Sequence, residues 1–94
     1  MKITIIGTVA RTGAERTFAG GFRKREVVVL VGGDESRPLP VEFTAREGSA
    51  DRIAQTLGIE PGALVRVVAD LSGHEWEGRV FLSLRGVEIR AASF

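Results

Sequence analysis

The sequence predicts an all-β chain that closes into a small barrel of five strands, with one short helix between the third and the fourth. Three observations carry this. Five β-rich apolar segments are separated by turn-forming residues. One segment after the third strand has helical instead of alternating spacing. The last strand changes the parity of its apolar residues partway along, as a strand does when it turns a barrel corner.

In the first strand, residues 2–11, Ile3, Ile5 and Val9 alternate with Lys2, Thr4 and Thr8, and Gly7 is expected to mark a bend or bulge. Thr12 to Phe22 is rich in glycine and small polar residues and reads as a long hairpin loop. Arg23 to Val31 is the second strand. It opens on three basic residues and continues as Val27-Val28-Val29-Leu30-Val31, an unbroken apolar run typical of a buried strand. Gly32-Gly33-Asp34-Glu35-Ser36 makes a tight return into the third strand, Leu39 to Ala45, with Val41 and Phe43 on one face and Glu42 and Thr44 on the other.

Ser49 is the expected N-cap of a helix through Leu57, with Asp51 in its first turn and Gly58 as its stop. Ile53, Ala54 and Leu57 would then form an apolar stripe plugging one end of the barrel. The fourth strand is Ala63 to Leu71, Ser72 to Gly78 a connection, and the fifth strand Arg79 to about Arg90. In that last strand Val80, Leu82 and Leu84 share one parity and Phe81, Val87 and Ile89 the other. A bulge near Arg85-Gly86 would reconcile them. This order, with a helix between the third and fourth strands, is that of an OB-fold; an SH3-like barrel normally lacks that helix.

At 94 residues the chain can build one core but not two independent domains, so residues 1–94 are read as a single domain. It has no cysteine, hence neither a disulfide nor a thiolate metal site, and no apolar run near the roughly 18 residues of a membrane span. The start alternates too early for a signal peptide. A cytoplasmic protein with no membrane partner is expected. The net charge of +1 hides an uneven distribution. Residues 1–25 carry six basic groups against Glu15 alone, giving +5; residues 26–62 carry three basic and seven acidic groups, giving −4. A local positive field attracts phosphate even where the whole chain is near neutral.

Three motifs, Gly21-Phe22-Arg23-Lys24-Arg25-Glu26, Leu57-Gly58-Ile59-Glu60-Pro61-Gly62-Ala63-Leu64-Val65 and Gly73-His74-Glu75-Trp76-Glu77-Gly78-Arg79-Val80-Phe81, resemble a family of small bacterial OB-fold proteins catalogued as a domain of unknown function and similar to single-stranded DNA-binding proteins. The resemblance spans nearly the whole chain. It implies an OB-fold, single-stranded nucleic-acid binding and assembly into a homo-oligomer, a dimer or tetramer. Gly86-Val87 departs from it, standing where relatives tend to have Ala-Trp. The end Ala91-Ala92-Ser93-Phe94 lacks the acidic tail of true single-stranded DNA-binding proteins, so recruitment of partners through such a tail is not expected.

Catalysis needs convergent acid, base or nucleophile groups, and one histidine with scattered carboxylates does not supply them. No enzyme activity, cofactor or catalytic residue is expected. His74 beside Glu75 and Glu77 reads as a loop histidine, because the set lacks the ligands and spacing of a metal site. The chemistry the chain does offer is basic groups interleaved with aromatics. Arg16, Arg23, Lys24, Arg25 and Arg79 are candidate phosphate contacts, and Phe18, Phe22 and Trp76 are candidate stacking planes. Each has a structural alternative: Trp76 as a barrel-end cover, Phe18 and Phe22 as loop anchors, the basic run as a solvated edge. Phe43 and Phe81 are expected in the core. Side chains alternate along a strand, so either Arg23 and Arg25 together or Lys24 alone project to one side. The expected function is sequence-tolerant binding of single-stranded DNA or RNA; the rival is a protein-assembly module without nucleic-acid binding.

Overall fold

The computed structural model describes residues 1–92; Ser93 and Phe94, and with them the expected acid-free end, lie outside the described residues. The strands are β1 (Lys2–Thr12), β2 (Arg16–Thr17), β3 (Arg23–Val31), β4 (Pro38–Ala45), β5 (Leu64–Trp76) and β6 (Arg79–Ala91). Five are long, and β2 is a two-residue strand inside the expected first loop. β1 pairs with both β3 and β5, β5 with β6, and β3 with β4; a single parallel bridge, Glu42 to Arg85, joins β4 to β6 and closes the ring. This is the expected five-stranded OB-type barrel.

Period-2 patterning builds the core. Ile5 and Val9, Val27 and Val29, Val41, Phe43 and Ala45, and Val65, Val67 and Ala69 point inward from four strands, and Ile89 completes the set from β6. Gly7 is not the bulge. Register slips at Ala10, between Val9 and Arg11, while a Cβ on Gly7 would collide with the Leu30 carbonyl of the adjoining strand.

The bulge in the last strand is real. Val68 pairs with Glu88 and Ala69 with Gly86, leaving Val87 unpaired and turning Ile89 inward. The Gln55 amide bridges the disturbance, donating to the Val87 carbonyl at 3.2 Å and accepting from the Ile89 N–H at 3.2 Å.

Three expectations are corrected. The helix is a single 3₁₀ turn, Ile53–Thr56, and Ser49 does not cap it; the Asp51 carboxylate accepts the Ala54 N–H at 3.1 Å instead. With three-residue spacing, Ile53 and Thr56 face the barrel, while Ala54 and Leu57 are exposed. The segment from Ser72 to Gly78 is mostly strand: β5 and β6 run on as one long hairpin closed by Glu77-Gly78, both at positive φ (48° and 76°), the two-residue turn that matches strand twist. Phe81 is not in the core. It lies on that hairpin and is 41% exposed, because the strand has left the barrel by this point.

Candidate nucleic-acid interface

The outer face of β3 begins at Lys24, whose cross-strand neighbours are Arg16 on β2 and Thr44 on β4. The loop before it folds back on itself. The Phe18 N–H donates to the Phe22 carbonyl at 2.7 Å around the 3₁₀ turn Ala19–Gly21, which brings the two rings to 6.0 Å between centroids, tilted by 39°. The Lys24 ammonium stands over both, 5.5 Å from the Phe18 centroid and 5.4 Å from that of Phe22, within cation–π range. Phe18 is 46% exposed. Arg16, Phe18, Lys24 and Arg25 line one groove of about 330 Å³ with Glu26 and Glu42.

Pleat alternation turns Arg23 and Arg25 away from Lys24, and both hold the fold, Arg25 from the rim of the same groove. Arg23 spans Glu15 (2.6 Å) and Asp51 (3.1 Å), and the hydrogen bond it donates to Glu15, then that to Asp51, raises its pKa. Arg25 donates from Nε to the Gly13 carbonyl at 3.0 Å and from Nη1 to Thr56 Oγ1 at 3.1 Å. Thr56 is fully buried and its hydroxyl donates to the Ile53 carbonyl at 2.6 Å, so Arg25 ties the first loop to the 3₁₀ turn through a satisfied hydroxyl. Of the three-residue basic run, Lys24 alone joins the aromatic pair. It does not stand free either: Glu42 Oε1 lies 3.4 Å from its Nζ, and Glu42 is the direct cross-strand partner of Glu26.

The β5–β6 hairpin carries two unlike faces. Register puts His74, Trp76, Arg79 and Phe81 on one; His74 and Phe81 stack at 5.8 Å, and the Arg79 guanidinium lies 5.5 Å from the Phe81 centroid. Trp76 is 64% exposed and makes no ring contact with Phe18 or Phe22, so the two aromatic groups are separate platforms. Leu82 and Val80 lie on the other face, which continues into a second groove lined by Leu39, Pro40, Leu71 and Leu84.

One residue of the first platform was not anticipated. Arg46, just beyond β4, sets its guanidinium 4.7 Å from the Phe22 centroid. Its distance in sequence from Phe18 and Phe22 hides it; only the pairing of β3 with β4 brings it there. No group of three or more candidate metal ligands occurs among the described residues, and none of their helices is long and apolar enough to cross a membrane.

Residues 4–90 match the family described as "Domain of unknown function (DUF3127)", and the chain belongs to that family. A sequence comparison with curated proteins gave no match. Among solved structures the chain is similar to the mitochondrial single-stranded DNA binding protein Rim1 of S. cerevisiae, with a TM-score of 0.71 and 23% identity over 97% of this chain and 94% of that one. It is similar to the second single-stranded DNA binding protein (SSBb) of Mycobacterium smegmatis, with a TM-score of 0.71 and 16% identity over 98% and 86%. The single-stranded DNA binding protein of Thermus aquaticus gives a TM-score of 0.68 and 20% identity over 98% of this chain and 50% of that one. At such identities the likeness establishes the fold.

Proposed function

We propose that residues 1–94 act as one non-enzymatic domain that binds single-stranded nucleic acid, DNA in the first instance, without reading its sequence. The observation that carries this is the Phe18–Phe22 pair, with Phe18 exposed, set beside Lys24 and Arg16 on the outer face of β3. Base stacking contributes about 1–3 kcal/mol per base whatever the base, and basic groups alongside supply phosphate contacts that release counterions. In this reading Arg16, Lys24 and Arg79 meet phosphates, Phe18, Phe22 and Trp76 meet bases, and Arg23 and Arg25 shape the loop that presents them. The single-stranded DNA binding proteins of like fold support the choice of ligand, and a cytoplasmic location is part of the same proposal.

Fluorescence anisotropy of a labelled oligonucleotide at low salt tests it. Three phosphate contacts predict a slope of log affinity on log salt near about −2. Lys24→Ala should flatten that slope, Phe18→Ala should weaken binding with the slope unchanged, and absence of binding at tens of micromolar protein would refute the proposal.

A second reading, compatible with the first, is a homo-oligomer assembled through the apolar face of the hairpin. Leu82 and Val80 are 75% and 70% exposed there, and apolar surface of that kind on a strand pair marks association. Light scattering over a dilution series decides it: Leu82→Ser should shift an oligomer toward monomer, and a wild-type protein monomeric at every concentration would rule the reading out.

A further inference from the structure

A second basic groove lies beside the first, where β4 meets β6. Arg46, Arg52 and Arg85 line it with Thr44, Ser49 and Ala50, around about 280 Å³. The three arginines come from three places. Arg46 ends β4's outward row after Glu42 and Thr44; Arg52 is held against β4 by its N–H, which donates to the Thr44 carbonyl at 3.2 Å; Arg85 lies at the parallel bridge to β6. No carboxylate lines the groove. Among the described residues none of the three arginines makes an ion pair: Glu42 is engaged by Lys24, Asp51 by Arg23, and Asp70, the cross-strand partner of Arg85 and close enough to feel its charge, by the Met1 ammonium. A guanidinium cannot shed its proton, so three of them around one cavity repel each other unless an anion sits between them. Forked donors with two hydroxyls nearby suit the oxygens of a phosphate group.

The groove adjoins the aromatic platform. Thr44 is the cross-strand partner of Lys24, and Arg46 covers the Phe22 ring. We propose that this groove holds a backbone phosphate of the same strand whose bases reach Phe18 and Phe22, so that the bound strand crosses β2, β3 and β4 to the β6 edge, with Phe22 as the joint. The inference rests on the nucleic-acid reading above and extends it by a second contact segment.

The test uses a labelled oligothymidylate of about ten nucleotides, inorganic pyrophosphate as a small-anion probe, and the double variant R52Q/R85Q. The expected result is a Kd about tenfold weaker at low salt and a salt slope flatter by about 0.7 to 1.4, the equivalent of one or two phosphate contacts on a single strand. Ser49→Asp, which puts a carboxylate beside the groove with every arginine in place, should weaken binding likewise. It keeps the question answerable if the double variant unfolds.

Unchanged affinity and slope in folded variants, with binding still lost in Phe22→Ala, would overturn the groove assignment and leave the nucleic-acid reading standing. Pyrophosphate shifting the NMR signals of the three guanidinium groups while the variants bind the oligonucleotide normally would also overturn it, marking a small-anion site apart from the strand. A wild-type protein that binds no oligonucleotide would overturn both.

Discussion

Gly86 is a position where a single methyl group should disturb the core directly. A Cβ built there falls under 3.0 Å from Cε1, Cζ and Cδ1 of Phe43, and that ring is fully buried in the core. Overpacking of this kind costs about 1–3 kcal/mol, against which the stiffer unfolded chain of an alanine returns about 0.4–1 kcal/mol. Gly86→Ala should therefore lose about 1–2 kcal/mol. At about 4–8 °C per kcal/mol for a domain of this size, thermal unfolding followed by circular dichroism should show a midpoint lower by roughly 5–15 °C. Phe43→Leu removes Cε1 and Cζ, so the double variant should be more stable than the sum of the single losses by about 1 kcal/mol. A Gly86→Ala protein with an unchanged or raised midpoint, or strictly additive losses, would refute this account of how β6 passes over the core.

Three further outcomes are expected. Arg25→Ala breaks hydrogen bonds to the Gly13 carbonyl and Thr56 and should cost about 1–3 kcal/mol in denaturant unfolding, while leaving the salt slope of oligonucleotide binding as it was. Glu42→Gln removes a like charge opposite Glu26 and releases Lys24, so anisotropy should show binding a few-fold tighter at low salt, with stability within about 0.5 kcal/mol of wild type; weaker binding would contradict it. Asp34 accepts from the Ser36 hydroxyl at 2.7 Å and from its N–H at 2.9 Å, and these bonds, the hydroxyl's first, hold its pKa below the ordinary value. A depressed folded pKa contributes stability that is present above the unfolded value and lost as pH falls through the folded one. Ser36→Ala should raise the Asp34 pKa measured by NMR and lessen the loss of stability in acid.

The fold was legible wherever side-chain period decides structure. The strands at Arg23–Val31 and Leu39–Ala45 follow from apolar runs and alternation, and the parity conflict between Leu84 and Ile89 locates a bulge within a residue or two of Val87. What stayed hidden depended on particular backbone choices. Ser49 and Asp51 are both good caps, and nothing local says that only one 3₁₀ turn follows. Glu77 at positive φ is an uncommon first residue for a tight hairpin turn, so the hairpin's full reach, and with it the exposure of Phe81, could not be foreseen.

The site was legible by residue type more than by partnership. Alternation correctly separates Lys24 from Arg23 and Arg25, but the acids that occupy Arg23 come from Glu15 and Asp51, 36 residues apart in number. The groove of Arg46, Arg52 and Arg85 exists because a parallel bridge closes the barrel between β4 and β6, a contact that leaves no local signature.

The central claim is that the β3 face with its two phenylalanines binds single-stranded nucleic acid by stacking and charge together. Titrating the wild-type protein and Phe18→Ala/Phe22→Ala against a labelled oligothymidylate over a range of salt tests both parts at once. The account predicts binding that weakens with salt, and a double variant that loses about 2–6 kcal/mol of affinity with its salt slope intact. Equal affinity for the wild type and a folded double variant would contradict it.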